Sequence, residues 1–133
     1  MQCILVTPEA TLRDEPADFV ALPLFDGEIG IAPGHSPMIG RLGYGEMRIK
    51  RGEETVRFYV EGGFVQVLNN SVSVLSNRAL PAENIDAAAA EELLHSALSR
   101  PAHTPELLAT RQRVMDQARA QLLVARRDVH LAP

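Results

Sequence analysis

Polar and apolar residues alternate through residues 46–50 and again through residues 56–61, the period-two pattern of strands with one buried face. Between these runs lies the polar stretch 51–54, whose Gly52 allows the chain to turn. The pattern therefore predicts a β-hairpin that has one face in water.

A second hairpin is predicted directly after the first. Residues 64–68 and 72–75 are apolar runs, and the two asparagines between them tolerate the positive φ angles of a tight turn. A glycine pair at positions 62 and 63 separates residues 64–68 from the preceding strand, so we expect a strand break there.

Two earlier apolar runs, Gln2–Val6 and Phe19–Leu24, are also predicted strands. Pro23 places the second at an edge or a bulge, because proline has no N–H to donate to a sheet. Many short strands joined by glycine or asparagine turns are typical of antiparallel sandwiches and barrels. We therefore predict an all-β domain over residues 1–82.

After residue 82 the apolar residues recur with the period of an amphipathic helix. The first predicted helix is capped by Asn84 or Asp86, contains four consecutive alanines and ends before Pro101. Its expected apolar face consists of Ile85, Ala89, Leu93 and Ala97, widened by Ala90, Leu94 and Leu98.

A second helix is predicted to begin with Thr104 as its cap and Pro105 at its first position. The expected seam of this helix repeats every seven residues and consists of Leu108, Met115 and Leu122, beside Val114, Ala118 and Ala125. The two helices should form an antiparallel hairpin over residues 83–133. The seam is most simply the inside of that hairpin, and a partner-binding face is the alternative.

Composition narrows the function. A net charge of −4 and a pI near 5.5 argue against nucleic-acid binding and against a basic membrane anchor. The single cysteine, Cys3, excludes an internal disulfide and fits a reducing compartment. No apolar run approaches the ~18 residues of a membrane span, and the N-terminus has no signal-peptide pattern. We expect a soluble protein that meets a membrane only through a partner.

Residues 26–37 hold the densest set of backbone-shaping residues, with three glycines and two prolines beside two carboxylates and a histidine. We expect a loop of fixed geometry that presents a surface. Glu28 and His35 within it could form an acid–base pair, although a solvated carboxylate and a turn-stabilising ring are the simpler interpretation. The spacing of the histidines does not predict a metal site, and we expect no cofactor. A sandwich that binds a small molecule inside is a further alternative.

Residues 27–37, GEIGIAPGHSP, resemble the G-E-[IL]-G-[IV]-x-P-G-H-[AS]-P motif of the epsilon subunit of rotary F-type ATP synthases. Residues 59–64, YVEGGF, are similar to that family's Y-[VL]-x-G-G-[FI] strand, and residues 122–125 resemble the L-x-V-A end of its last helix. The resemblance extends over essentially the whole chain.

The resemblance implies a sandwich of about ten strands followed by a regulatory helical hairpin, and no catalysis by the chain itself. The chain would lie in the central stalk, bound to the gamma subunit and to the membrane ring of c subunits, and would couple ion-driven rotation to ATP synthesis. The hairpin would extend towards the alpha/beta catalytic head and inhibit ATP hydrolysis. The implied location is the cytoplasmic face of the inner (plasma) membrane, as a peripheral part of the complex.

Site residues follow from the same resemblance. The implied c-ring contacts are Glu28, Gly30 and His35. The implied gamma-packing residues are Gly62, Gly63 and Phe64.

One departure concerns nucleotide binding. Members of the family that sense ATP carry an I-D-x-x-R-A motif at the first helix, and here Ala89 stands where the arginine belongs. Alignment of the last helix places Gln117 and Gln121 at two further arginine positions. Because phosphate binding depends on such cations, we expect weak or absent ATP binding. Pro101 and Pro105 also disfavour one continuous long helix.

Overall fold

A computed structural model describes residues 1–131, with side chains through residue 126. Residues 132 and 133, at the end of the predicted helical domain, lie outside the described residues. The chain divides into two compact units, Met1–Pro81 and a second that begins at Ala82. The first contains the strands and the second contains the helices.

The first unit is a mostly antiparallel β-sandwich, as predicted. Its strands are β1 (Gln2–Val6), β2 (Thr11–Pro16), β3 (Phe19–Leu24), β4 (Gly27–Ile31), β5 (Met38–Arg41), β6 (Tyr44–Arg51), β7 (Glu54–Leu68) and β8 (Ser71–Pro81). Their order is β2-β1-β8-β7-β6-β3-β4, and β5 pairs with β7. Only the β1–β8 pair is parallel among these neighbours.

Strands β7 and β8 belong to both layers of the sandwich. Residues 64–67 of β7 pair with β5, and residues 64–68 pair with residues 71–75 of β8, which in turn pair with β1. Together with β2 they form layer A. Residues 54–61 of β7 pair with β6, which leads through β3 to β4, and these strands with the end of β8 form layer B. The sandwich therefore has eight continuous strands rather than about ten, because two strands supply a segment to each layer.

The core lies between the inner faces of the two layers. Layer A contributes the buried side chains of Cys3, Leu5, Val65, Val67, Val72 and Val74. Layer B contributes those of Val20, Leu22, Ile31, Met47, Ile49, Phe58 and Val60. Each buried side chain of the size of valine or leucine stabilises the fold by about 1.5–3 kcal/mol. The side chains of this core cluster are apolar, which gives no support to a small-molecule site inside the sandwich.

The predicted break at Gly62 and Gly63 is wrong, because the strand continues through them. Their φ angles are 60° and 107°, and β8 remains paired on both sides, at Glu61↔Arg78 and at Gly63↔Ser76. The glycines thus bend β7 from layer B into layer A without ending the ladder. A Cβ atom on Gly63 would lie 1.9 Å from the carbonyl oxygen of Leu75, so only glycine fits.

The prediction of a loop over residues 26–37 is also wrong in its first half. Gly27–Ile31 is strand β4, which pairs with β3 from Val20↔Ile31 to Leu24↔Gly27. Ile29 and Ile31 do alternate with Glu28 and Gly30, but the glycines conceal this period of two. The irregular part of the segment is the turn over residues 32–37.

The second unit begins with a single 3-10 turn, Ala82–Asn84, followed by α1 (Ala87–Ser99) and α2 (Pro105–Leu131). The cap of α1 is Asp86, whose side chain accepts a hydrogen bond from the Ala89 N–H at 3.0 Å. The hydroxyl of Thr104 accepts from the Leu107 N–H at 3.1 Å, which confirms the predicted start of α2.

The contact between α1 and α2 differs in part from the predicted faces. On α1, Ala90 and Ala97 are buried, whereas Ala89 and Leu93 of the predicted face are exposed. On α2, Met115, Ala118 and Leu122 are buried as predicted, but Leu108 is exposed. The apolar stripe of α1 is wider than one partner helix can cover, and alanines permit the closer approach of the two axes.

We expect Gly63→Ala to destabilise the sandwich by about 3 kcal/mol, because the new methyl group would overlap the Leu75 carbonyl. Urea denaturation of the full chain measures the change. The matched control is Gly52→Ala, at φ 60° with nothing within 4 Å of the added carbon. It should cost only about 1 kcal/mol, the price of the backbone conformation alone. Equal losses in the two variants would contradict the clash.

Candidate functional site

The turn that joins β4 to β5 is held by hydrogen bonds of its own. Pro33 and Gly34 occupy its centre, Gly34 has φ 81°, and the His35 N–H donates to the Ala32 carbonyl at 3.1 Å. This is the geometry of a type II turn, which favours proline followed by glycine. The Nδ1 atom of His35 lies 2.7 Å from the Ser36 carbonyl oxygen, and the ring is half-buried. The histidine is therefore fixed against its own turn.

Glu28 lies on β4 and belongs to a row of charged side chains across the outer face of layer B. Its Oε1 accepts a hydrogen bond from Arg48 Nη2 of β6 at 2.7 Å. Arg48 Nη1 also donates to Glu46 at 3.1 Å, and Arg57 Nε of β7 donates to Glu46 at 2.9 Å. Strand β3 lies between Glu28 and Arg48, and it places the small side chain of Ala21 opposite Arg48. The acids and bases thus alternate along the row.

Burial differs sharply along this row. The Glu46 side chain is 4% exposed and that of Arg57 is 10% exposed, whereas Glu28 at the end is 50% exposed. The hydrogen bond from Arg48 to Glu46 raises the pKa of Arg48 above its usual value, so the guanidinium stays charged. The inner pairs satisfy a buried carboxylate, while an exposed pair such as Glu28–Arg48 contributes only ~0–1 kcal/mol. The exposed Glu28–Arg48 pair therefore adds little to the stability of the fold.

A neighbouring aromatic ring leaves no room for a side chain at Gly30. It lies opposite Ala21 on β3, and a Cβ atom at this position would be 2.6 Å from the Phe19 ring. The Phe19 ring therefore packs directly over Gly30, and a larger side chain at position 30 would displace the ring.

Glu28 and His35 do not meet. Glu28 is bonded to Arg48 on the outer face of layer B, and His35 is bonded within the turn over residues 32–37. This arrangement gives no support to an acid–base pair. Among the residues whose side chains are described, no group of three histidine, cysteine or acidic residues could hold a metal ion. Burial raises the pKa of the Cys3 thiol to about 12, which keeps it protonated and unreactive near neutral pH.

The outer face of layer A carries an apolar patch, which we define as Ile39, Phe64, Leu68 and Leu75. Their exposed fractions are 76%, 59%, 45% and 54%. Phe64 on β7 is directly opposite Leu75 on β8, and Ile39 on β5 is opposite Gln66, the next outward residue of β7. Contiguous exposed side chains of this size are a mark of a protein–protein contact. Of the four, the resemblance named only Phe64, since Leu68 and Leu75 fell within predicted strands and Ile39 lay outside every predicted strand.

Gly62 and Gly63 are half-buried and lie at the bend between the layers. The contact of Gly63 with the Leu75 carbonyl gives them a role in the fold itself. Phe64, which follows them, is the member of this trio that points outward.

The three positions at which the ATP-sensing pattern has arginine lie on the helical hairpin. Ala89 is exposed in the first turn of α1, and Gln117 and Gln121 are half-buried one turn apart on α2. None of the three side chains carries a positive charge. A phosphate would therefore lack charge-assisted donors at these positions.

The sequence of this chain matches a known protein family. Residues 1–82 match the family model described as ATP synthase, Delta/Epsilon chain, beta-sandwich domain. The chain is also 45% identical over 126 residues to the ATP synthase epsilon chain of Rhodopirellula baltica, which covers 95% of this chain and 98% of that relative. This chain belongs to the ATP synthase epsilon chain family.

Other members of the family are similar over most of the chain. The ATP synthase epsilon chain of Symbiobacterium thermophilum is 39% identical over 132 residues, covering 98% of this chain and 90% of the relative. Epsilon chains are non-catalytic subunits of an enzyme complex, in keeping with the sequence-based expectation. In the described part of the chain, no helix combines the length and the hydropathy needed to cross a membrane.

Solved structures share the fold at low sequence identity. A chain in the cryo-EM structure of Euglena gracilis mitochondrial ATP synthase (OSCP/F1/c-ring, rotational state 1) has a TM-score of 0.83 at 20% identity, covering 93% of this chain and 79% of its own. A chain in the Tetrahymena thermophila mitochondrial ATP synthase structure (central stalk/c-ring) has a TM-score of 0.74 at 12% identity, covering 93% and 95%. Both therefore share the fold of this chain.

We expect this epsilon chain to show no ATP binding at micromolar nucleotide, because Ala89, Gln117 and Gln121 supply no cation. Isothermal titration of the full chain with MgATP measures the affinity. The matched variant restores arginine at all three positions and should bind more tightly than the natural chain. Micromolar binding by the natural chain would contradict the expectation.

Proposed function

We propose that this chain is the central-stalk epsilon subunit of a rotary F-type ATP synthase, in which it couples ion-driven rotation to ATP synthesis. The observation that carries the proposal is the apolar patch on layer A, which accompanies membership of the family. A chain that carries such a patch on a rigid sandwich is suited to a lasting attachment to another subunit. The two structural neighbours support this placement, because one comes from an OSCP/F1/c-ring assembly and the other from a central stalk/c-ring assembly of ATP synthase.

The apolar patch is the proposed binding surface for the gamma subunit. Phe64 and Leu75 form its centre as a directly opposed pair, and Ile39 extends it to the edge strand β5. Gly62 and Gly63 bend β7 just before Phe64 and so fix the position of its side chain. Burial of large apolar side chains supplies most of the free energy of such an interface.

The proposed contacts with the c-ring are Glu28, Gly30 and His35. A rotor contact must transmit displacement, and the strand β4 and the closed turn at His35 are both fixed by hydrogen bonds. Glu28 is half exposed and held only by a weak surface pair, so it can bind a cation on the ring. Strand β4 and the turn over residues 32–37 would face the membrane, which corresponds to a peripheral location on the cytoplasmic face of the inner membrane.

The unit that begins at Ala82 is the proposed regulatory part. Its α1–α2 contact is made on the α1 side by the small side chains of Ala90 and Ala97, which bury little apolar area. A contact of this kind can open at modest cost, and the helices could then reach the alpha/beta head and inhibit hydrolysis. Arg100 has an extended backbone and precedes Pro101, so the hairpin would open at this joint without forming one continuous helix.

Tagged full-length chain, expressed in cells that lack the native subunit, should co-purify with gamma and c subunits. Phe64→Ser should weaken recovery of gamma about tenfold or more, because a buried aromatic anchor would be lost. Quantitative immunoblotting of the purified complex measures recovery.

The matched control for this experiment is Phe25→Ser. Phe25 is 69% exposed but lies in the turn between β3 and β4, outside the apolar patch. It should leave gamma recovery unchanged. Failure of the natural chain to recover any ATP synthase subunit would overturn the proposed function, and equal loss in both variants would remove the assignment of the patch.

We expect a chain that ends at Pro81 to assemble and to raise ATP hydrolysis by the complex. The sandwich is a compact unit by itself, so removal of the hairpin leaves the gamma-binding patch in place. The hydrolysis rate of complexes with the truncated and the full chain is compared at equal recovery of gamma. Equal rates would show that the hairpin does not inhibit in this enzyme.

A further inference from the structure

The turn over residues 32–37, which we call the His35 turn, also forms a hydrogen bond with the β7–β8 hairpin. The Gly34 N–H donates a hydrogen bond to the side-chain oxygen Oδ1 of Asn70 at 3.0 Å. Asn70 lies between β7 and β8, thirty-six residues away along the chain. The third residue of a type II turn has a backbone N–H that takes no part in closing the turn, so this donor is available to another segment.

The backbone of Asn70 is itself constrained. Asn69 and Asn70 have φ angles of 51° and 59°, and Leu68 pairs with Ser71 on either side of them. These are the features of a two-residue type I′ turn, in which both central residues adopt positive φ. Glycine would satisfy the second position with less strain than asparagine. An asparagine there keeps an amide side chain that reaches the neighbouring turn.

Asn70 also contacts the first strand. Its carbonyl oxygen accepts a hydrogen bond from the Gln2 N–H at 3.1 Å, where β1 begins. The residue therefore joins the β7–β8 turn, the His35 turn and the start of β1 at one end of the sandwich. Asn70 and Gly34 are both exposed, and an exposed hydrogen bond adds little to global stability. Its main effect is on the position of the turn.

We propose that Asn70 is a positioning residue for rotary coupling, which holds the His35 turn in the place where it meets the c-ring. This inference rests on the proposed function. In this role the Asn70 side chain acts through its hydrogen bond with Gly34.

Three variants of the full chain separate the parts of this proposal. Asn70→Gly keeps the positive φ of the turn but removes the side-chain acceptor. Asn70→Asp keeps an oxygen acceptor at the same place. Asn69→Gly makes the same change at the adjacent turn residue, whose side chain makes no such bond to the His35 turn in the described structure.

The first measurement is hydrogen exchange of the Gly34 amide by NMR in the isolated chain. Exchange should become about threefold faster or more in Asn70→Gly, because its hydrogen bond is lost, and should stay unchanged in Asn70→Asp and Asn69→Gly. The melting temperatures of all variants should remain close to that of the natural chain. Unchanged Gly34 exchange in Asn70→Gly would overturn the proposal, since the bond would then play no part in solution.

The second measurement is coupling in inverted membrane vesicles that contain the assembled complex. The ATP-driven membrane potential, read with a potential-sensitive dye, is divided by the rate of ATP hydrolysis. This ratio should fall in Asn70→Gly and be restored in Asn70→Asp. The double variant Glu28→Ala/His35→Ala, which removes the proposed ring contacts, serves as the reference for a damaged contact.

The outcomes distinguish the positioning role of Asn70 from the proposed ring contact. If the double variant lowers the ratio and Asn70→Gly does not, the proposed ring contact stands and the positioning role of Asn70 is overturned. If neither lowers the ratio, both the ring contact and the positioning role are overturned. A loss in Asn69→Gly equal to that in Asn70→Gly would also reject the role, because the effect would then belong to the turn backbone.

Discussion

The close approach of two backbones at Gly63 is the constraint on which the sandwich depends. Strands β7 and β8 run together from one layer into the other, and at the crossing the Gly63 backbone lies against the Leu75 carbonyl. Because the pair stays hydrogen-bonded on both sides of the bend, each layer inherits its register from the same two strands. The positions of the apolar patch on layer A and of the charged row on layer B follow from this shared register.

Sequence patterns predicted the elements that contain continuous or alternating apolar runs. Strands β1 and β3 have the predicted bounds for this reason. Strand β2 was not predicted, because Arg13, Asp14 and Glu15 give an exposed edge strand a polar composition. Strand β4 was concealed by its glycines, and the face of α1 was misplaced because alanine occurs on several sides of that helix.

The resemblance supplied the candidate residues, but no sequence pattern predicted the contacts that hold them in the structure. The GEIGIAPGHSP motif identified Glu28, Gly30 and His35 by resemblance. Arg48, which binds Glu28, is 20 residues from it in the chain. Asn70, which holds the His35 turn through Gly34, is 36 residues from Gly34. Such pairs depend on strand order and register, which no local period encodes. Apart from Phe64, the apolar patch was missed for the same reason, since exposure of an alternating strand depends on which face the second layer covers.

The parallel pairing of β1 with β8 sets the order in which the domain can be completed during synthesis. Strand β1 leaves the ribosome before its neighbour β8, which comes about seventy residues later, as Gln2 pairs with Ser71. Until then Cys3 and Leu5, which are fully buried in the finished sandwich, have only the β2 hairpin beside them. Contacts between such distant segments slow folding, because a long loop must close before they form. The nascent chain therefore carries an unfinished apolar edge until β8 has emerged, and closure of the sandwich is a late event in its folding.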